Sequence, residues 1–209
     1  MPDFDFEDAA LAEIGRDALI AGVDEVGRGP WAGPVVAAAV ILRREALPDG
    51  LNDSKALSKA KREGLFETIN AAANVSLGMA SVEEIDEFNI LQASLLAMSR
   101  AVEGLAAAPH IALVDGNRAP KLTCPVRTII KGDAKSLSIA AASIIAKVTR
   151  DRIMAELSIE HPNYGWERNA GYGTREHQEG LKLVGVCRHH RKSFAPIRQL
   201  MTQDSSLTT

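Results

Sequence analysis

The chain has 209 residues, of which 46% are hydrophobic and 24% are charged, as is typical of one globular domain with a single core. Its apolar stretches are all shorter than the roughly 20 residues of a membrane-spanning helix, and its acidic N-terminus differs from a basic leader peptide. We therefore expect a cytoplasmic protein without membrane contact. A monomer is expected as well. The formal net charge is −3, but residues 121–209 carry 14 basic and 8 acidic side chains, so a nucleic-acid partner is not excluded.

The N-terminal half is expected to contain three strands, each a short apolar run flanked by glycine, proline or charged residues. Ser58 can cap a helix in which Leu65, Phe66 and Ile69 share one face. A longer helix follows the third strand. The predicted strands cover residues 18–25, 34–42 and 74–81, and the predicted helices cover residues 58–72 and 83–105.

The C-terminal half is expected to add two strands and a long helix. Hairpins between the early strands and helices between the later ones predict a mixed sheet, antiparallel across hairpins and parallel across helices, so the fold class is α/β. From about His161 the composition indicates loops and short helices, and the final QDSSLTT is expected to be a frayed tail. The predicted strands cover residues 110–114 and 126–131, and the predicted helix covers residues 136–158.

The run DEVGRGPWAGP, which begins at Asp24, places two adjacent carboxylates at the end of an apolar strand and before a glycine-rich turn. Neighbouring side chains of a strand point to opposite faces, so Asp24 and Glu25 can serve one site only where the strand ends or bulges. Gly27 and Gly29 are expected to provide that ending. The spacing GxGxxxG, with a strand after it, differs from the dinucleotide-binding pattern and leaves a loop whose backbone can approach a sugar closely.

Two further aspartates occur in the same setting. Asp115 and Asp133 each follow an apolar run and lie next to a glycine, so with Asp24 and Glu25 they are expected to meet at one edge of the sheet. Clustered carboxylates repel one another unless a cation neutralises them, and hard oxygen ligands suit Mg²⁺ or Mn²⁺. Two such ions about 4 Å apart promote in-line phosphoryl displacement. For any one of these acids alone, a turn or a helix cap is the ordinary role.

Four other side chains are candidates for contacts with phosphate. Lys55 lies in the DSK segment, Ser143 and Lys147 lie one turn apart on the predicted helix that follows Asp133, and Arg191 lies in the basic C-terminal segment. A solvated surface is the alternative for each. Arg188 and Lys192, in the same basic segment as Arg191, are also expected to contact the phosphate backbone of a duplex.

The cysteines and histidines are expected to be structural. Cys124 and Cys187 are too few and too far apart for a disulfide framework or a zinc cluster, which indicates reduced thiols. The histidines show no metal-ligand spacing with them, and roles in the core or in backbone contacts are expected for His161, His177, His189 and His190.

Six motifs in a fixed order connect the chain with a known family. They are GVDEVGRGPWAGPVVAAAV, LNDSKALS, LVDGN, KGDAKSLSIAAASIIAKVTRDRIM, NAGYGTREH and HHRKSFAP. On these motifs the chain resembles bacterial ribonuclease HII, the type 2 ribonuclease H, from about Leu19 to Leu200.

This resemblance implies a ribonuclease H-like fold, with a catalytic core over residues 1–158 and a C-terminal helical extension over residues 159–209 that contributes to substrate binding. It implies hydrolysis of the RNA strand of RNA/DNA hybrids and a nick 5′ of a single ribonucleotide in duplex DNA, with two Mg²⁺ or Mn²⁺ ions. The family's metal ligands fall on Asp24, Glu25, Asp115 and Asp133, its loop that senses the 2′-OH falls on Gly27, Arg28 and Gly29, and its sugar-stacking tyrosine falls on Tyr172.

Three alternatives to this reading differ in what they require. A module that binds hybrids without cutting them would gain nothing from four acids that repel phosphate. A small-molecule phosphohydrolase would not need the basic C-terminal segment or the tyrosine of GYGT, Tyr172. From the residues alone, Tyr172 could equally be a core residue. A ribonuclease H that demands several consecutive ribonucleotides is the alternative within nucleases. The sequence carries no signal for or against a replication clamp as a partner.

Overall fold

The computed structural model describes residues 1–205, which form two compact units that are interleaved along the chain. The first unit comprises Met1–Val26, Val36–Met79 and Ser94–Val148. The second unit comprises Gly27–Val35, Ala80–Ala93 and, among the described residues, 149–205. The predicted division into a catalytic core over residues 1–158 and a C-terminal extension over residues 159–209 stays a prediction.

The secondary structure follows the predicted order. The five strands are β1 (Ile20–Val26), β2 (Val35–Ile41), β3 (Asn74–Ala80), β4 (Ile111–Asp115) and β5 (Val126–Ile129). The seven helices of residues 1–205 are α1 (Asp5–Ile14), α2 (Lys59–Ala72), α3 (Val82–Glu103), α4 (Leu137–Glu160), α5 (Trp166–Asn169), α6 (Arg175–Val184) and α7 (Ala195–Ser205). No helix of this part of the chain has the length and apolar character needed to cross a membrane.

The strands form one mixed sheet in the order β3, β2, β1, β4, β5. β1 pairs antiparallel with β2 and parallel with β4, and β4 pairs parallel with β5. The predicted mixed α/β sheet is therefore confirmed. No helix was predicted between β4 and β5 and none forms there, so their parallel pairing departs from the expectation that parallel neighbours are joined by a helix.

The core of the first unit is built from small side chains. All seven residues of β2 are buried, and Ala38 and Val40 pack with Leu65 and Ile69 of α2 and with the apolar face of α4. Ser58 caps α2 as predicted, because its hydroxyl accepts a hydrogen bond from the backbone N–H of Lys61. Alanines on both β2 and α4 allow close approach of helix and sheet.

At Gly22, β1 and α4 approach each other closely. A Cβ atom at this position would lie 2.1 Å from the backbone carbon of Ser138, well inside the distance that packed atoms tolerate. The backbone of α4 therefore lies directly against β1. This contact fixes the start of the helix that carries Ser143 and Lys147.

Helix α1 was not predicted. Its buried Glu7 accepts hydrogen bonds from the hydroxyl of Ser136 and from the N–H and hydroxyl of Ser138, so it places a carboxylate at the positive N-terminal end of α4. Phe6, Ala10 and Leu11 pack against the sheet. The apolar spacing of this segment carried a helical signal beneath its acidic composition.

Helix α3 departs from the single regular helix that was expected. Asn89 has φ 70° and ψ 163° and interrupts it. The Asn89 side chain accepts hydrogen bonds from the N–H groups of Leu91 and Gln92, so it caps the second helical segment. An asparagine within an apolar periodic pattern was the only sequence sign of this break.

The second unit has its own hydrophobic core. The loops and short helices that were predicted beyond His161 contribute most of its residues. Tyr164, Trp166, Leu181 and Ile197 are buried together with Met154. The segment QDSSLTT was predicted to be a frayed tail, but its first three residues belong to α7. Residues 206–209 of that prediction lie outside the described residues.

Candidate active site

Three aspartates of the first unit meet at the carboxyl ends of adjacent strands. Asp24 lies near the end of β1, Asp115 is the last residue of β4, and Asp133 lies in a short 3₁₀ turn (Gly132–Ala134) after β5. These strands are parallel neighbours, with Val23 paired to Val114, so their ends coincide. One carboxylate oxygen from each aspartate lies within 4.8 Å of the others. The three aspartates therefore lie close together, as the sequence predicted.

Burial and mutual repulsion dominate the electrostatics of this aspartate triad. Burial raises the pKa of Asp24 well above its ordinary value, and the charges of Glu25, Asp115 and Asp133 raise it further. Burial and Asp115 likewise raise the pKa of Asp133. Asp115 is oriented by the backbone N–H of Gly132, which donates to its Oδ1 at 2.6 Å. A cation among these oxygens would relieve a repulsion that the fold otherwise tolerates.

Glu25 has a different position from the other three acids. It is still a regular residue of β1, where it pairs with Ala37 while Asp24 pairs with Ala38, so the two side chains leave the strand on opposite faces. Among the residues that the structure describes, Glu25 does not belong to the group of carboxylates within 4.8 Å. The strand ends at Val26, directly before Gly27 as expected. A role for Glu25 at the same metal centre stays a prediction.

Ser143 supports Asp24 from α4. Ser143 is buried, and its hydroxyl bonds to the Asp24 carboxylate. This bond lowers the pKa of Asp24, but the burial of Asp24 has a larger effect and raises it. The hydroxyl oxygen of Ser143 lies 2.8 Å from the hydroxyl oxygen of Ser54. Because each hydroxyl has one proton, Ser54 donates to Ser143 and Ser143 donates to Asp24. The expected phosphate contact of Ser143 stays a prediction. Ser54 is a neighbour of the site that the sequence did not reveal.

Lys55 forms an ion pair with one member of the triad, Asp133. Its Nζ lies 3.6 Å from Asp133 Oδ2, and 79% of its side chain is exposed. Partial burial acts to lower the pKa of Lys55, but Asp133, Asp53 and Asp24 outweigh it and raise the pKa. An exposed ammonium held by aspartates can turn toward a phosphate at low cost. Lys147 is half-buried on α4, one turn beyond Ser143.

The second unit contains the other residues that the sequence indicated. Gly27 has φ 96°, which strains any side chain, and a Cβ there would lie 2.2 Å from Arg150 Nε. Arg28 and Gly29 are exposed. Tyr172 is 47% exposed, and its Cε1 would lie 3.3 Å from a Cβ at Gly29. The glycine loop and the tyrosine are thus neighbours within this unit, and the tyrosine is not a core residue.

Arg191 does not reach the surface, contrary to the phosphate contact expected from the sequence. It is 0% exposed, and its guanidinium donates to the backbone carbonyls of Gly27, Arg28 and Gly33. Burial lowers its pKa to about 9. Its exposed neighbour Lys192 keeps the expected access to solvent.

Arg150 is a second buried guanidinium that the sequence did not identify as structural. It is 1% exposed and donates to the carbonyls of Pro34, Ala170 and Ala32 at 2.9, 2.9 and 3.0 Å. Burial lowers its pKa to about 10. Charge counts could not distinguish these two arginines from solvated ones.

Two of the histidines are buried as predicted, and the cysteines are unpaired with each other. His177 and His190 are fully buried and bonded to each other, and both cysteines are free. Glu160, His161 and His189 place potential ligand atoms within 4.8 Å of one another. Arg188 donates to His189 Nε2 and lies 3.5 Å from Glu160, so a guanidinium already serves two members of this group, whereas the buried Nε2 of His161 has no hydrogen-bond partner.

The sequence profile of the family described as "Ribonuclease HII" matches residues 21–197. The chain is 57% identical over 201 residues to ribonuclease HII of Jannaschia sp. (strain CCS1), a match that covers 96% of this chain and 98% of that protein. It is also 57% identical over 204 residues to ribonuclease HII of Ruegeria pomeroyi, with 97% and 86% of the two chains covered.

Solved structures give the same result at the level of the fold. Ribonuclease H2 from Pyrococcus horikoshii matches with a TM-score of 0.74 and 29% identity, over 88% of this chain and 97% of that chain. RNase HII of Archaeoglobus fulgidus, solved in a complex with PCNA, matches with a TM-score of 0.65 and 29% identity, over 83% and 93% of the two chains.

Proposed function

Because the chain belongs to the ribonuclease HII family, we propose that it hydrolyses the RNA strand of RNA/DNA hybrids and nicks duplex DNA 5′ of a single embedded ribonucleotide. The observation that carries this proposal is the convergence of Asp24, Asp115 and Asp133 at the ends of three parallel strands. Buried acids of this kind disfavour simple binding of a polyanion. They are suited to a metal-dependent reaction at phosphate.

The residues present fit a divalent cation of the Mg²⁺ or Mn²⁺ type. The donors are all carboxylate oxygens, and burial and mutual repulsion raise the pKa of Asp24. Asp24, Asp115 and Asp133 would hold the ions, with Glu25 as a further ligand. Two ions bound there would activate water and stabilise the leaving oxygen. Ser143 and Gly132 keep Asp24 and Asp115 in fixed orientations, and Lys55 is available for the phosphate once it leaves Asp133.

The second unit is proposed to recognise the ribonucleotide. The 2′-OH is the group that distinguishes a ribonucleotide from its deoxy neighbours, and it can both donate and accept. Backbone groups of residues 27–29, of which Arg28 and Gly29 are exposed, are proposed to bond to it. The exposed ring of Tyr172 offers a flat face for the next deoxyribose, where an added hydroxyl would clash.

The chain is inferred to act as a monomer on duplex substrate, with Lys147, Arg188 and Lys192 as candidate backbone contacts. The likeness to the Archaeoglobus fulgidus protein, which was solved with PCNA, supports a replication clamp as a candidate partner. Sedimentation of the purified chain, alone and with a clamp, tests both statements.

Product analysis tests the proposed reaction. An end-labelled DNA duplex with one ribonucleotide should be nicked on the 5′ side of that nucleotide in Mg²⁺ or Mn²⁺, to give a 3′-hydroxyl and a 5′-phosphate. Attack by the 2′-OH would act on the 3′ phosphate and would give a cyclic product instead. A cyclic phosphate, a 3′-side cut, activity in chelator or equal cleavage of all-DNA duplex would each contradict the proposal.

A duplex with four consecutive ribonucleotides is the matched substrate for the alternative enzyme. A ribonuclease H that requires several ribonucleotides would cut this duplex and leave the single-ribonucleotide duplex intact. We expect cleavage of both.

A further inference from the structure

The glycine loop, Gly27–Val35, is held at Gly27, Arg28 and Gly33 by the buried side chain of Arg191. Nε of Arg191 donates to Gly33 O at 3.0 Å, Nη1 donates to Arg28 O at 3.0 Å, and Nη2 donates to Gly27 O at 2.5 Å and Gly33 O at 2.9 Å. The backbone N–H of Arg191 donates to Trp31 O at 2.8 Å. One residue therefore bonds to both ends and the middle of the loop.

These bonds determine where the peptide groups of the loop point. A planar trans peptide directs its C=O and its N–H to opposite sides, and the described residues contain no cis peptide. The carbonyls of Gly27 and Arg28 face the guanidinium. The N–H groups of Arg28 and Gly29, which share those two peptide planes, therefore face away from Arg191.

We propose that Arg191 is a positioning residue for ribonucleotide recognition, which sets the direction of the peptide groups that residues 27–29 present to the 2′-OH. This inference rests on the proposed role of the glycine loop. Arg191 acts through that loop and touches no substrate, as its complete burial requires.

The type of side chain matters for this role. The partners of the buried guanidinium are carbonyl dipoles rather than a carboxylate, an arrangement that leaves much of the desolvation cost of the charge in place. An apolar side chain of similar length would remove that cost but would leave several buried carbonyls unpaired, so the loop would turn them toward water. Lysine has no planar fork and could serve only part of the set.

Arg150 provides a matched control within the same unit. It is as deeply buried as Arg191, and its guanidinium also donates to backbone carbonyls. Its acceptors are Ala32, Pro34 and Ala170, so it does not bond the carbonyl of Gly27 or Arg28. Arg150 also packs against Gly27 and bonds Ala32 and Pro34 of the loop, but its loss leaves the bonds from Arg191 to the carbonyls of Gly27 and Arg28 in place.

The test compares Arg191→Met, Arg191→Lys and Arg150→Met. The kcat/KM is measured on a duplex with one ribonucleotide, below the melting temperature of each variant. Dissociation constants for this duplex and for all-DNA duplex are measured with each change placed in an Asp24→Asn background, which prevents cleavage.

For Arg191→Met we expect kcat/KM to fall about 30-fold or more and the binding preference for the ribonucleotide to disappear, with affinity for all-DNA duplex kept within about threefold. Arg191→Lys should be intermediate. Arg150→Met should lower the melting temperature but reduce kcat/KM less than about fivefold.

Several results would overturn the inference. A folded Arg191→Met protein with kcat/KM within threefold of the wild type would do so, as would equal losses in Arg191→Met and Arg150→Met. Unfolding of both Arg191 variants would make the residue a requirement for folding and not a positioning residue. Failure of the wild type to cut the single-ribonucleotide duplex would instead refute the proposed function, before any variant is compared.

Discussion

His190 Nε2 lies 3.0 Å from His177 Nε2, and the hydrogen-bond network assigns the proton of each ring. Cys187 N–H donates to His190 Nδ1 at 3.0 Å, so His190 carries its proton on Nε2 and donates it to His177. Trp166 Nε1 donates to the same atom of His177 at 3.2 Å, which leaves His177 Nδ1 to donate to Tyr172 O at 3.0 Å. Both imidazoles are neutral in this chain of bonds.

Mild acid should therefore destabilise the protein. Burial lowers the pKa of His190 to about 3, with a further contribution from His177, and burial also lowers the pKa of His177. In the unfolded chain both titrate near 6.5, so the folded state binds fewer protons and its stability is lost as the pH falls below that value. The loss approaches about 1 kcal/mol per pH unit for each group. Urea unfolding at pH 7.5, 6.5 and 5.5 measures it.

His190→Gln is the control for this dependence. The glutamine amide can still donate to His177 but does not titrate, so the slope of unfolding free energy against pH should be shallower than in the wild type. An unchanged slope would show that other groups cause the acid sensitivity.

Asp24→Asn or Asp115→Asn should abolish turnover while substrate binding stays equal or becomes tighter. The amide removes a ligand charge and also removes repulsion toward phosphate. We expect a loss of about 1,000-fold or more in kcat, measured under single-turnover conditions, and an unchanged or lower dissociation constant. Cleavage within tenfold of the wild type would remove the mutated aspartate from the reaction. Glu25→Gln in parallel shows whether Glu25 belongs to the same centre.

Tyr172→Ala should weaken specificity for the junction more than affinity for the duplex. Stacking positions the sugar, whereas lysines and arginines supply the salt-dependent binding. The ratio of cleavage at a single ribonucleotide to cleavage within an all-RNA strand should fall about tenfold, and Tyr172→Phe should retain most of it. An unchanged ratio in Tyr172→Ala would exclude Tyr172 from substrate recognition.

Gly22→Ala should destabilise the first unit by about 3 kcal/mol or more, because the new methyl group would overlap the backbone of α4. Gly64→Ala is the matched control. It lies within α2, and a Cβ atom added there would have no neighbour within 4 Å, so the change should stabilise the protein by up to about 1 kcal/mol through helix propensity. Thermal melts of both variants check the prediction. A melting temperature for Gly22→Ala near that of the wild type would mean that α4 can move away from β1.

The sequence predicted the strands and the long helices because their apolar periods are strong. It also predicted the meeting of Asp24, Asp115 and Asp133, since each acid ends an apolar strand beside a glycine. Helix α1 was missed because its apolar face is short and its composition is mainly acidic. The break at Asn89 depends on one side chain that caps a new helical turn, which periodicity does not reveal.

The roles of the buried polar side chains were the least predictable part of the site. Arg191 and Lys192 are adjacent and equally basic in sequence, yet one is fully buried and the other is exposed. Ser143 shares a helix with Lys147 but bonds to Asp24. Such differences depend on which backbone carbonyls and carboxylates the tertiary fold brings close, and a single sequence does not contain that information.

The interleaved division of the chain has a consequence for its synthesis on the ribosome. The glycine loop emerges early, but the arginine that bonds it comes 163 residues after Arg28 and 164 residues after Gly27. At typical rates of about 5–20 residues per second, the loop waits on the order of ten seconds for its partner. The first unit has all of its residues by Val148, whereas the loop of the second unit is bonded only after Arg191 has been made, so a chain that terminates before this residue would leave the loop without its partner.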